Sequence, residues 1–115
     1  MSSDCLFCSI VDGSIPADVV SETEHTVAFR DINPQAPTHI LVIPKKPIPR
    51  IAEAEAEDHQ VLGHMMLKAR ELAGKLGLHE TGFRLVINNG HDAGETVPHL
   101  HLHILGGRAM AWPPG

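Results

Sequence analysis

Apolar and polar positions alternate most regularly near the C-terminal end of the chain. Over residues 98–105 a histidine is followed by an aliphatic residue three times, as His99-Leu100, His101-Leu102 and His103-Ile104. That is the two-residue period of a strand. Leu100, Leu102 and Ile104 are therefore expected in a core, with His99, His101 and His103 together on the opposite face. Upstream, His39-Ile40-Leu41-Val42-Ile43-Pro44 is apolar nearly throughout, the pattern of a strand buried on both faces. Residues 19–22 and 26–29 flank the polar Thr23-Glu24-His25 as a hairpin, and residues 83–88 supply a further strand. Between these groups the period changes. Val61, Leu62, Met65, Met66, Ala69, Leu72, Ala73 and Leu76 recur at helical spacing, in a helix of about 20 residues led by acidic residues 53–58 and stopped at Gly77. Asp4 as N-cap followed by Cys5-Leu6-Phe7-Cys8-Ser9-Ile10-Val11 predicts a short helix, ended by Gly13 and Pro16. One short helix, three strands, one long helix and two strands indicate an α+β fold on an antiparallel sheet.

Composition narrows the function classes. The 115 residues suit one domain, 1–115, and aromatics at 3% against 43% hydrophobic residues make the core aliphatic. A formal net charge of −5 argues against a nucleic-acid surface but leaves room for one small nucleotide in a local pocket. There is no charged-then-apolar leader and no apolar run near about 18 residues, so neither a signal peptide nor a membrane span is expected, and a cytoplasmic location follows. Cys5 and Cys8 are no disulfide framework. As C-x-x-C they offer half of a zinc site, a redox pair, or two small apolar residues in a helix.

The histidine row is where chemistry is expected. Each imidazole has two ring nitrogens that need partners, so three in a row are costly as packing alone. The outer pair is about 13 Å apart along a strand, too far for all three to share one ion comfortably. A phosphate with its leaving group fits better: one imidazole attacks and its neighbours donate to the oxygens. The preceding loop, Asn89-Gly90-His91-Asp92-Ala93-Gly94-Glu95-Thr96-Val97, allows close approach of backbone amides to an anion, and Asn88 and Thr96 can add side-chain donors. Asp31, at a strand end beside a loop with two prolines, suits a ribose hydroxyl or simply caps that loop. His39 gains weight only if its strand pairs beside the histidine row. His59, His64 and His79 are expected to face solvent.

Taken together, His99-Leu100-His101-Leu102-His103-Ile104-Leu105 resembles the signature of the histidine triad, or HIT, superfamily, in which three histidines alternate with apolar residues. Residues 31–39 are similar to the stretch carrying that family's ribose carboxylate and fourth histidine. Gly106-Gly107-Arg108 and the ending Met110-Ala111-Trp112-Pro113-Pro114-Gly115 are similar to the Hint branch, the purine nucleoside phosphoramidases. The resemblance implies a HIT-like five-stranded sheet with one long and one short helix, joined in a homodimer into ten strands, with the tail 108–115 reaching toward the partner. It implies hydrolysis of the P–N bond in nucleoside phosphoramidates of AMP or GMP, without cofactor, through a nucleotidyl-histidine. By the same resemblance His101 is the nucleophile, His103 bonds the phosphate, and His99 and His39 orient and tune the nucleophile. Asp31 matches the ribose acceptor. Asn88, Gly94, Thr96 and the Val97 amide match phosphate contacts. Leu6, Phe7, Ile10 and Ile32 match the base slot, and Trp112 the residue that reaches the partner's site.

Two positions depart from the family pattern. Some relatives hold zinc with a C-x-x-C, the first triad histidine and a histidine after the P-K-x stretch. Here that last position is Pro47, so Cys5, Cys8 and His99 lack a fourth ligand and no metal is expected. Glu95 stands where a neutral glutamine is common, and a carboxylate there repels phosphate unless it turns outward. Clustered imidazoles disfavour one another's protonation, which suits a neutral nucleophile whose second N–H needs only a carbonyl to hold it. A dinucleoside polyphosphate hydrolase, a catalytically idle nucleotide-binding scaffold and a zinc-binding module are the alternatives.

Overall fold

A computed structural model describes residues 5–115. Five strands form one antiparallel sheet: β1 (Val19–Glu22), β2 (Thr26–Arg30), β3 (Thr38–Pro44), β4 (Phe83–Val86) and β5 (Leu102–Gly106), in the order β1-β2-β3-β5-β4. The short helix α1 (Leu6–Val11) lies on one face, and α2 (His59–Lys75) on the other. Asp4, the expected cap of α1, lies outside the described residues. The Cys5 Sγ takes the capping position, accepting the Cys8 N–H at 3.1 Å.

Alternation along β3 sorts the core into two layers. Ile40 and Val42 join Leu102, Ile104, Met65, Ala69, Leu72 and Ala73 beneath α2, while Leu41 and Ile43 join Phe7, Val27 and Phe29 beneath α1. β3 is buried on both faces, as its apolar run predicts. In register, Ile40 faces Ile104 and Leu41 faces His103, so odd positions of β3 and β5 share the α1 side.

Three boundaries differ from the sequence pattern. The strand carrying histidines begins at Leu102, not residue 98. Pro44, which comes opposite Leu100 if the register continues, has no N–H to donate. Leu100 instead donates to the Ile48 carbonyl at 2.7 Å, and the ladder ends. The long helix begins at His59, because Asp58 is spent as a cap: its carboxylate accepts the Glu55 N–H at 2.9 Å, and the acidic run folds as two single 3₁₀ turns. Within α2 the buried stripe is narrower than expected. Met65 is buried, but Met66 and Leu76 face solvent. After Gly77, whose φ of 76° is the left-handed conformation that ends a helix, comes a one-turn helix, α3 (Leu78–Thr81), absent from the predicted order. Leu78 at its start is buried in the α2 layer. Among the described residues no helix is long and apolar enough to cross a membrane.

Candidate active site

The antiparallel pairing of β3 with β5 brings His39 beside the histidine row. His39 Nδ1 accepts the backbone N–H of Gln35 at 3.0 Å. Its proton must therefore sit on Nε2, which donates to His103 Nδ1 at 2.9 Å and lies 3.5 Å from Asp31 Oδ2. His103 then carries its own proton on Nε2, and that atom is buried with no hydrogen-bond partner among the described residues. The same reasoning reads His101 the other way. Its Nδ1 donates to the His99 carbonyl at 2.8 Å, leaving the Nε2 lone pair free. His99 donates from Nε2 to the Pro44 carbonyl at 2.8 Å. Two adjacent rings, 5.0 Å apart between centroids, thus present a bare lone pair and an unused N–H.

Both rings line one cavity of about 260 Å³. Phe7 packs edge-on against His101 with centroids 5.0 Å apart. Leu6, Phe7 and Ile10 of α1 form a wall, Asp31 and Ile32 a rim, and Thr96 and Val97 the approach from the loop. Leu6 and Ile15 are partly open to solvent and Ile32 is 99% exposed, an apolar lip that no other described residue covers. Ile15, Pro16, Ala17, Phe29, Arg30 and Leu41 complete the lining. Sequence reasoning missed them; the turn after α1 carries no chemistry of its own, and only tertiary packing sets it against β2. Asp31 caps its own loop and also faces the cavity. Its Oδ1 accepts the Asn33 N–H at 2.8 Å, and its residue lines the cavity.

Burial shapes the charges. It pushes the His103 imidazole down to about 4, with charge on His101 and His39 adding to the effect and Asp31 opposing it. His39 is lowered by burial, partly offset by Asp31, and His99 is lowered by burial against the opposing pull of the Pro44 carbonyl.

Other expected residues lie apart from the cavity lining. Asn88 and Gly94 sit in the loop behind Thr96, and Gly94 takes a φ of 79° to close the turn at His91–Ala93. Trp112 is 82% exposed on the tail, which is held where Arg84 Nη2 donates to the Ala111 carbonyl at 3.0 Å. Glu95 is occupied by Arg50, whose Nε and Nη2 donate to its carboxylate at 3.0–3.2 Å.

Among the described residues, two groups bring three potential metal-ligating atoms within 4.8 Å of one another. In the first, Cys5 and Cys8 are joined by a disulfide, with His99 Nδ1 3.3 Å from Cys8 Sγ. The joined sulfurs have no thiolate to offer, and Pro47 supplies no fourth ligand, so this set does not fit zinc. In the second, Asp31, His39 and His103, a metal on His39 Nε2 would force a proton onto Nδ1, against the Gln35 N–H. That set does not fit a metal either.

Residues 12–110 match the HIT domain family. An uncharacterised HIT-like protein of Synechocystis is 56% identical over 115 residues, the whole of both chains. The crystal structure of a HIT family hydrolase from Legionella pneumophila superposes with a TM-score of 0.95 at 52% identity, covering 96% of this chain and 99% of that one. A histidine triad nucleotide-binding protein from Candida albicans gives a TM-score of 0.82 at 30% identity, covering 95% and 82%. With its three alternating histidines on the α1 side of a five-stranded sheet, this chain belongs to the HIT domain family.

Proposed function

We propose that the protein is a purine nucleoside phosphoramidase that works through a nucleotidyl-histidine on His101. The observation that carries this reading is the opposed polarity of the two unpartnered ring nitrogens. The His101 Nε2 lone pair is the nucleophile, and the buried His103 Nε2–H is a donor waiting for a phosphate oxygen. Attack forms a bond from Nε2 to the α-phosphorus as the P–N bond breaks, and the amine departs with the electron pair and takes a proton from water. Water then cleaves the P–Nε2 bond, releasing the nucleoside monophosphate and returning the pair to His101. Throughout, the Nδ1–H stays on the His99 carbonyl, which steadies the positive ring formed on attack.

The base enters the apolar slot of Leu6, Phe7, Ile10 and Ile32, and Asp31 accepts from the ribose. Asn88, Gly94, Thr96 and the Val97 amide serve the phosphate, while His99 and His39 fix the tautomers of their neighbours. The nucleotide-binding relative from Candida albicans supports the ligand class. The hydrolase from Legionella pneumophila supports turnover. On this reading the reaction needs no metal, and the Gln35 N–H, which keeps the His39 proton on Nε2, supports a metal-free Asp31–His39–His103 group. We further propose a homodimer joined along the edge strand β4, whose Arg84 holds the tail, with Trp112 reaching the partner's site. The test is hydrolysis of an adenosine phosphoramidate by pure protein, compared with diadenosine polyphosphates. Faster turnover of the phosphoramidate is expected; preference for the polyphosphates, or binding of AMP without turnover, would reject the assignment.

A further inference from the structure

The loop that leads into the histidines places a carboxylate one residue before a cavity-lining threonine, Thr96. Glu95 is only 12% exposed at its side chain. Its two oxygens accept from Arg50 Nε at 3.0 and 3.2 Å, and one accepts from Arg50 Nη2 at 3.0 Å. Oε1 also accepts the Gly90 N–H at 2.9 Å, while the Glu95 N–H donates to the Gly90 carbonyl at 3.1 Å. Residues 90 and 95 thereby close the loop with two bonds around the turn at His91–Ala93. Arg50 Nη1 meets Glu53, and Asn89 Oδ1 accepts the Ala52 N–H at 2.8 Å, so the closed loop is fastened to residues 50–53.

A negative group beside an anion site weakens it unless a cation neutralises that group in a fixed place. A guanidinium fork does this with more geometric control than an ammonium. The Glu95 carboxyl is held below its ordinary range by the Arg50 bond first and the Gly90 N–H second, with charge on His101 adding a smaller pull. It is therefore ionised wherever the site would work, and its charge has to be dealt with.

We propose that Arg50 and Glu95 form a positioning pair for the anion-binding loop: Glu95 ties down Gly90 to shape the loop, and Arg50 cancels its charge so that phosphate settles beside Thr96. The pair rests on the nucleotide reading above, and neither residue touches the reacting atoms. A plain structural staple and a charge-cancelling pair differ in one respect. Removing Arg50 alone leaves a bare carboxylate beside the phosphate, whereas removing both charges does not.

Calorimetric binding of AMP and of adenosine to the full chain, its Arg50→Ala and Glu95→Gln variants and the double variant separates the two, with Tm recorded for each. Arg50→Ala should weaken AMP about tenfold while adenosine, which has no phosphate, changes less than about twofold. Glu95→Gln keeps an acceptor for the Gly90 N–H and should bind AMP within about threefold of the parent, and the double variant should return to that range. The KM for a phosphoramidate should follow the same order while kcat holds. Parent-like AMP binding by Arg50→Ala, a double variant no better than Arg50→Ala, or equal losses for AMP and adenosine would each overturn the pair. A parent protein that binds no AMP would overturn the nucleotide reading and the pair together. One that binds AMP without turnover would reject only the phosphoramidase reading, and the binding series would still decide the pair.

Discussion

β5 and the residues leading into it have two faces built from the same alternating stretch, and they are held by different physics. Leu100, Leu102 and Ile104 enter the layer beneath α2, where exclusion from water is enough and no side-chain atom needs a partner. His99, His101 and His103 turn to the other side, where every ring nitrogen must be matched with a donor or an acceptor. Gln35, Pro44, the His99 carbonyl and the His39–His103 contact account for five of those nitrogens in the four histidines, while His99 Nδ1 faces the joined sulfurs of Cys5 and Cys8, which have no hydrogen to give. His101 Nε2 and His103 Nε2 have no partner among the described residues, and they belong to the two histidines that line the cavity. Two open ring nitrogens on neighbouring rings of one cavity mark a place where a ligand fits.

Substitution on each face should break different properties. His101→Ala should lower kcat by at least about 10³-fold, near 4 kcal/mol, with Tm close to the parent. His103→Ala, which removes one donor, should cost about 10²-fold. Steady-state kinetics and mass spectrometry of quenched enzyme, seeking a nucleotide on the peptide containing His101, check both. Most of the activity surviving in His101→Ala would remove it as nucleophile. On the opposite face, Ile104→Ala should cost about 2–5 kcal/mol of stability by opening a cavity in the α2 layer. Denaturant unfolding reads that loss, and the residual folded protein should keep its KM.

Acid should weaken the histidine face first, before the carboxylates take up protons. The His103 imidazole sits at about 4 in the folded chain against an ordinary 6.5. Between those values the unfolded chain binds more protons, so this stability is complete above about 6.5 and is lost as pH falls toward about 4. His39 and His99, also lowered, act in the same direction. Thermal unfolding from pH 7 to 4 should show a falling Tm, flatter in His103→Gln; an equal slope in that variant would contradict the assignment. The smallest effect concerns metal. Extensive dialysis against chelator should leave phosphoramidate turnover within about twofold, because neither three-atom group is a complete site. One firmly held zinc per chain by elemental analysis would refute this.

Much of this was legible along the chain because it depends on periodicity. Two-residue alternation assigned Leu100, Leu102 and Ile104 to one side and three histidines to the other, and the helical stripe of α2 was found through Met65, Ala69, Leu72 and Ala73. Such patterns record which side of an element leaves water, and that is a local property of the chain. Capping and ladder ends were less legible. The acidic run ahead of α2 gave no sign that Asp58 closes a 3₁₀ turn of its own, and the strand start moved to Leu102 because Pro44 has no N–H to continue the ladder. Part of the cavity lining, including Leu6, Phe7, Asp31, His101 and His103, could be named from a resemblance, but not the protons on its rings. Those depend on which groups the sheet brings together across long separations: the Gln35 amide against His39, His39 against His103, and the His99 carbonyl against His101. The fate of Glu95 was equally invisible, since its partner Arg50 lies 45 residues away. The sequence by itself determined the two faces and the inventory of imidazoles, because burial follows a repeat. Only the tertiary structure decided which nitrogen holds a proton and which is left free, because a tautomer is set by the hydrogen-bond partner it meets.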